Sequence, residues 1–304
     1  MARSKLSIVA ATAGSCLALF ASPAAAYVRA VADSGVPVAW KSPCVTMDLF
    51  IGDAPAGMSA AEYVAAAGLA ARAWSHASLS CTALSINVGA QPAATTEIGR
   101  DGRNVIVFRQ DNWCEQSTPA VCYSPNALAV TSIFKNNVTG EIVDADMELN
   151  AVNFTWADLV AQPELASRTN ADFQNTVTHE LGHVIGLAHP CYSANDGGGR
   201  LNDNSGIPEL DCTDANLPAS VPETTMFPSA SLGDVDRRTL SSDDAQAACD
   251  IYPGTRSACD APSPNQGCSM LRTPNQGDIG FLATLAVLLF ATLAARRLKS
   301  GARA

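Results

Sequence analysis

Near its middle the sequence reads His179-Glu180-Leu181-Gly182-His183-Val184-Ile185-Gly186-Leu187-Ala188-His189, and this segment holds three of the four histidines of the 304-residue chain. On a helix, His179 and His183 lie one turn apart on one face, so both rings can reach a single metal ion. Glu180 lies about 100° further round the helix, which makes it a poor third ligand but allows it to hold a metal-bound water. The segment therefore has the pattern of a metal-binding helix.

Gly186 and His189 complete this pattern. Glycine readily adopts positive φ, so Gly186 can end the helix and turn the backbone towards the metal, which brings in His189. Zinc bound by three neutral histidines keeps its charge and one open position, and the pKa of a bound water falls to about 7. We therefore predict one catalytic zinc ion, with Glu180 as catalytic base and with the metal ligands His179, His183 and His189.

This segment resembles the metzincin signature, and other parts of the chain extend the resemblance. Thr225-Met226-Phe227-Pro228 is similar to the methionine turn in its matrixin form, which implies that Met226 forms an apolar floor under the zinc. Residues 144–150 resemble the edge strand that borders the matrixin substrate cleft, and residues 172–174 fit the entry to the metal-binding helix.

The resemblance covers residues 38–253 and implies an α+β fold of the metzincin-like zincin type. In that fold a twisted, mixed and mostly parallel sheet carries the catalytic helix, and a lower subdomain carries the methionine turn. Two features depart from the family. The interval from His189 to Met226 is longer than in compact matrixins, and no cysteine-switch motif is visible, so the resemblance implies no mode of latency.

The first 26 residues have the layout of a secretory signal, with Arg3 and Lys5 before an apolar run and a cleavage site after Ala26. Eight of the ten cysteines remain between this signal and the tail, and in an exported chain they are expected to form disulfides. Pairing of sequence neighbours is the simplest of many arrangements. It gives the pairs Cys44–Cys81, Cys114–Cys122, Cys191–Cys212 and Cys249–Cys259.

Charge excludes one class of partner. The chain has 29 acidic and 19 basic residues, and its two ends hold basic but no acidic residues, so the region between them is strongly acidic. Nucleic-acid binding is therefore disfavoured. A protein or peptide substrate is compatible with this charge, which also keeps an exported domain soluble.

Local patterns predict a short series of strands and helices. Ser59 and Glu62 form a capping box that opens a helix running to about His76, which is expected to be a half-exposed helix residue rather than a ligand. The metal-binding helix is expected to start near residue 170, with a buried stripe at Phe173, Val177, Leu181 and Val184. The predicted strands span residues 45–51, 84–88, 104–108, 126–134 and 141–149, and a last helix spans residues 240–252.

Residues 126–134 and 141–149 flank a hairpin signal at residues 136–140. A free edge on the second strand would bind an extended peptide by strand addition. The alternative is that Asp144, Asp146 and Glu148 form a solvated, charge-protected strand face. Residues 191–221 form a long aperiodic loop, whose candidate calcium ligands are Asp196, Asp203, Asp211 and Asp214.

After a linker at residues 254–278, residues 279–295 form an apolar run just long enough to span a membrane, followed by Arg296, Arg297 and Lys299. Together with Cys268, this region resembles C-terminal sorting tails of the myxobacterial kind, which are cut as the protein reaches the cell surface. The alternative is a plain membrane anchor. Either way the domain is expected outside the cell, at the surface or secreted.

The predicted function is therefore an exported zinc-dependent endopeptidase with a catalytic domain at residues 27–253. Glu180 would take a proton from the attacking water and return it to the leaving amine. Two alternatives stay open. One is a cell-surface binding module with a non-catalytic zinc, and the other is a zinc amidase that acts on cell-wall peptides. The oligomeric state is not indicated.

Overall fold

Strands and helices form largely where the sequence pattern predicts them. The structure, a computed structural model, describes residues 27–91, 98–115, 120–166, 169–194 and 199–260. Its strands are β1 (Val28–Arg29), β2 (Ala39–Trp40), β3 (Cys44–Phe50), β4 (Ser85–Gln91), β5 (Val105–Arg109), β6 (Ala129–Lys135), β7 (Glu141–Asn150), β8 (Thr155–Ala157), β9 (Asn170–Asp172) and β10 (Leu187–Ala188). Its α-helices are α1 (Ala60–Trp74), α2 (Phe173–Val184) and α3 (Ser242–Ile251).

The predicted signal peptide, residues 1–26, and the predicted tail, residues 279–304, lie outside the described residues. Within the part of the chain that the structure describes, no helix has the length and apolar character needed to cross a membrane.

β7 pairs with three other strands of a six-stranded sheet. On one edge it pairs in parallel with β5 and with the short strand β2, and β3 and β4 extend the sheet in parallel beyond β5. β6 runs antiparallel along the opposite edge and is joined to β7 by the predicted hairpin. This is a mixed α/β architecture with a mostly parallel sheet and few helices, which is compatible with the predicted α+β class.

The expectation that β7 has a free edge is wrong. Ile142 pairs with Trp40 of β2 and also with Lys135 of β6, and further along the strand β7 pairs with both β5 and β6. Both edges of β7 are therefore occupied. Among the described residues β6 pairs with β7 alone, so the open edge of the sheet on this side belongs to β6.

The acidic side chains of β7 are buried, so they do not form a solvated strand face. Asp144 and Asp146 are 0% exposed, and Glu148 is 1% exposed. The two aspartates accept backbone N–H groups of residues 99–105 at 2.6–3.1 Å, and Glu148 accepts the hydroxyl of Tyr123 at 2.9 Å. Loops before and after β5 therefore cover this face of the sheet.

The other face of the sheet packs against α1 and α2. The rings of Tyr63 in α1, Phe108 in β5 and Phe173 in α2 are buried, with centroids 4.9–6.0 Å apart. The predicted buried stripe of α2 is confirmed, because all four of its residues are 0% exposed. Burial of this stripe leaves an adjoining face of α2 for the histidines.

The start of α1 has the predicted capping box. The hydroxyl of Ser59 accepts the N–H of Glu62 at 3.3 Å, and the carboxylate of Glu62 accepts the N–H of Ser59 at 2.6 Å. The helix ends at Trp74, so His76 is half-exposed as predicted but lies beyond the helix. There Nδ1 of its ring lies 2.8 Å from the carbonyl oxygen of Thr82.

Four disulfides form among the described residues, and two of them were predicted correctly. The pairs Cys114–Cys122 and Cys191–Cys212 are confirmed. The other two predicted pairs are wrong, because the structure instead links Cys44 to Cys259 and Cys81 to Cys249.

These two long-range disulfides form because the C-terminal residues return to the segment between α1 and β4. The N–H of Gly254 donates to the carbonyl of Cys81 at 3.0 Å, and the N–H of Ala258 donates to the carbonyl of Ala83 at 2.8 Å. The hydroxyl of Thr82 donates to the carbonyl of Ala248 in α3 at 3.0 Å. Residues 254–260, which the sequence assigns to a linker, therefore belong to the same compact unit as the sheet.

Candidate metal centre

The three predicted metal ligands converge. Nε2 of His189 lies 3.2 Å from Nε2 of His183 and 3.3 Å from Nε2 of His179. Tetrahedral zinc with Zn–N bonds of about 2.0–2.1 Å places its ligand nitrogens about 3.3–3.4 Å apart, so the spacing fits a zinc ion. In the described parts of the chain, this is the one group of at least three metal-ligating side chains whose ligand atoms lie within 4.8 Å of one another.

Backbone carbonyls orient two of the rings. Nδ1 of His179 lies 2.7 Å from the carbonyl oxygen of Thr225, and Nδ1 of His183 lies 2.9 Å from that of Leu187. A carbonyl oxygen only accepts, so Nδ1 carries the proton and Nε2 presents its lone pair. Burial, followed by the neighbouring rings of His183 and His189, lowers the pKa of His179 well below its usual range. The ring is therefore neutral, as a metal ligand must be.

A buried carboxylate fixes the start of α2. Asp172 is the N-cap, and its carboxylate accepts the N–H of Asn175 at 2.8 Å. The guanidinium of Arg238 forms an ion pair with Asp172, whose side chain is 0% exposed, and a second one with Asp158 at 2.5 Å. A planar guanidinium that donates to both oxygens of a carboxylate holds it in a defined geometry. These contacts fix the start of the helix that carries His179 and His183.

Groups from outside α2 donate hydrogen bonds to the carbonyls at its C-terminal end. The last carbonyls of a helix have no partner within it. Here the carbonyls of residues 184–186 accept three hydrogen bonds at 2.8–3.0 Å, from Trp40 Nε1, the Tyr252 hydroxyl and the Ala30 N–H. The helix end is therefore satisfied by the N-terminal segment and by the end of α3.

Gly186 adopts φ +99°, as predicted, and turns the chain into β10. A Cβ at this position would lie 2.6 Å from the carbonyl oxygen of Val38, so glycine is also required by space. β10 pairs antiparallel with β1, with Val28 opposite Ala188. The N-terminal strand thus holds the residues directly before His189, a contact that no spacing in the sequence indicates.

Tyr27 anchors this N-terminal strand. It is 7% exposed, and its hydroxyl donates to the carboxylate of Asp250 in α3 at 2.9 Å. Its carbonyl accepts the N–H of Asn204, in the long loop, at 3.1 Å. One residue therefore connects β1 with α3 and with the loop that follows the third ligand.

Met226 packs directly against α2. It is 2% exposed, and its sulfur occupies the place that a Cβ on Gly182 would take. The ring of Trp74 lies 2.9 Å from the same position. The preceding residue, Thr225, accepts the hydrogen bond from His179. The segment predicted as a floor under the metal therefore lies against the helix between the two histidines.

Replacing Gly182 with alanine is expected to destabilise the fold by about 1–3 kcal/mol, because the added methyl group collides with Met226 and Trp74. Gly68 is the matched control. It lies exposed in α1 with no atom within 4 Å of an added Cβ, so alanine there should stabilise by up to about 1 kcal/mol. Urea unfolding of both variants measures the difference. Equal stabilisation by both substitutions would contradict the close packing under α2.

Glu180 is 6% exposed, and its carboxylate has a partner outside the helix. The hydroxyl of Thr131 in β6 donates to Oε2 at 2.6 Å. Burial raises the pKa of the Glu180 carboxyl to about 7, against smaller opposing effects of Thr131 and His189. Thr131 lies 49 positions away in the sequence, and no motif points to it. The contact between Thr131 and Glu180 exists only because β6 lies beside α2 in the fold.

The long loop after His189 uses its described acidic residues for its own structure. Asp211 pairs with Arg200 at 2.5 Å, and Asp203 and Asp214 accept backbone N–H groups of the turns that follow them. Asp196 lies outside the described residues. These contacts bring no calcium site together, and the calcium site stays a prediction.

The site thus brings three histidine nitrogens together, next to a buried glutamate. Comparison with known proteins finds neither a matching family model nor a matching curated protein. Its chemistry is therefore inferred from these side chains and their distances.

Proposed function

We propose that this chain is an exported zinc-dependent endopeptidase of the metzincin type, with His179, His183 and His189 as metal ligands and Glu180 as general base. The observation that carries the proposal is the convergence of three Nε2 atoms, 3.2 and 3.3 Å apart, beside a buried carboxylate. Three protein ligands leave a coordination position for water and substrate, which is typical of catalytic zinc.

When bound, a zinc ion supplies a Lewis acid for the scissile carbonyl and lowers the pKa of a bound water to about 7. Glu180 accepts a proton from the attacking water, and the same carboxyl then gives it to the leaving amine, so the carboxylate is regenerated in each turnover. His179 and His183 would hold the ion through Nε2, because backbone carbonyls accept their Nδ1–H groups.

The open edge of β6 supports a protein or peptide substrate. An extended peptide can add to a free edge through main-chain hydrogen bonds. β6 also carries Thr131, which contacts Glu180, so a peptide on this edge lies close to the general base. A substrate peptide is therefore proposed to add to the edge of β6, and not to β7 as the sequence suggested.

One observation favours an enzyme over a surface binding module, and a second supports export. A structural zinc usually has four protein ligands, whereas the group found in the described residues has three. The four disulfides are typical of an oxidising compartment. Residues 279–304 are proposed to act as a membrane anchor or a cleaved sorting signal, and the intact mass of the mature protein distinguishes the two.

The proposal is tested with the purified exported protein and a library of peptides derived from a whole proteome. We expect one zinc per chain, cleavage of internal peptide bonds, loss of cleavage with a chelator, and recovery when zinc is added back. One bound zinc without any peptide cleavage would contradict the endopeptidase and favour a non-catalytic site.

A further inference from the structure

Thr131 is the partner that fixes the Glu180 carboxylate. Its Oγ1 lies 2.6 Å from Oε2 of Glu180, and because a carboxylate only accepts, the threonine hydroxyl donates. The same Oγ1 lies 3.5 Å from the backbone carbonyl oxygen of Glu180. Among the described residues, no other side chain or backbone group makes a hydrogen bond to this carboxylate.

A hydrogen bond at this place restricts a flexible side chain. Glutamate loses considerable rotamer freedom when it is held in one position, and the hydroxyl that holds Glu180 comes from β6 and not from its own helix. The carboxylate held in this way belongs to the residue that directly follows His179 in α2.

We propose that Thr131 is a positioning residue, whose hydroxyl on β6 holds the Glu180 carboxylate in the orientation that serves the attacking water. This inference rests on the proposed function. It adds that the strand offered to the substrate and the general base are held to each other by one hydrogen bond. A peptide bound along β6 would therefore have a defined position relative to Glu180 as well as to the metal.

Two substitutions distinguish an effect of the Thr131 hydroxyl from an effect of the packing of its methyl group. Thr131→Val keeps the β-branched shape and removes the hydroxyl, whereas Thr131→Ser keeps the hydroxyl and removes the methyl group. A misplaced catalytic group costs up to about 100-fold in rate, so we expect Thr131→Val to lower kcat by about 10-fold to 100-fold with little change in KM. Thr131→Ser should retain kcat within about threefold.

The control is Ser132→Ala on the same strand. Side chains alternate along a strand, so Ser132 points to the opposite face of the sheet and its variant should keep full activity. All variants should bind one zinc. If Thr131→Val keeps full kcat, or if Thr131→Ser is as impaired as Thr131→Val, the proposal is overturned.

A second readout does not depend on turnover. Crystal structures of the metal-free protein should show the Glu180 carboxylate in one position in the wild type and in Thr131→Ser. In Thr131→Val it should move or occupy several positions. An unmoved carboxylate in Thr131→Val overturns the proposal. For a protein that cleaves no peptide, the proposed function fails, and these structures alone still decide whether Thr131 holds the carboxylate.

Discussion

Replacing Glu180 with glutamine is expected to lower kcat by about 100-fold to 10,000-fold, the range that a positioned general base contributes. Glutamine has the same shape, and its carbonyl oxygen can still accept the hydrogen bond from Thr131. It cannot take a proton from water. Zinc content should stay at one per chain, because Glu180 is not among the three converging ligands. Steady-state kinetics on a cleaved library peptide, with metal analysis, measures both quantities.

Glu164→Gln is the matched control, because Glu164 is an exposed carboxylate in a short 3-10 helix. That variant should have wild-type kinetics. If Glu180→Gln turned over substrate at the wild-type rate with zinc bound, Glu180 would not be the general base, and the proposed mechanism would be wrong.

Removing the Cys44–Cys259 disulfide with a double alanine variant should cause the largest loss of stability among the disulfide variants. The bond spans 215 residues, and closing a loop of that size in the unfolded chain corresponds to about 5 kcal/mol. The Cys114–Cys122 bond spans 8 residues and corresponds to about 2.5 kcal/mol. Urea unfolding of both double variants under oxidising conditions measures the two free energies.

Equal losses in the two variants would contradict a long-range bond at Cys44. Mass mapping of the oxidised wild-type protein gives the independent control, because it should recover a peptide that contains Cys44 of β3 joined to one that contains Cys259. Recovery of Cys44 joined to Cys81 would instead restore the pairing expected from sequence neighbours.

The parts of the site that depend on local spacing could be predicted from the sequence. The positions of His179 and His183 on one helix face follow from the helical repeat. The turn at Gly186 follows from the freedom of glycine at positive φ, and the observed value is +99°. The buried stripe of α2 follows from the same helical repeat, so residues close in sequence determined these features.

The parts that depend on the order of strands could not be predicted in this way. Alternation along β7 indicates two faces, but it cannot show that loops before and after β5 bury Asp144 and Asp146. Nor can it show which strand lies at the edge of the sheet. Thr131 was missed for the same reason, because its contact with Glu180 exists only once β6 lies against α2.

Pairing of β1 with β10 also affects the order of folding. Val28 lies opposite Ala188, and Tyr27 reaches Asp250 across 223 positions of sequence. Contacts between distant residues require closure of long loops and therefore form slowly. A chain that emerges N-terminus first must keep its first strand unpaired until nearly the whole domain has followed. We therefore expect His189, which directly follows β10, to reach its final position late in folding.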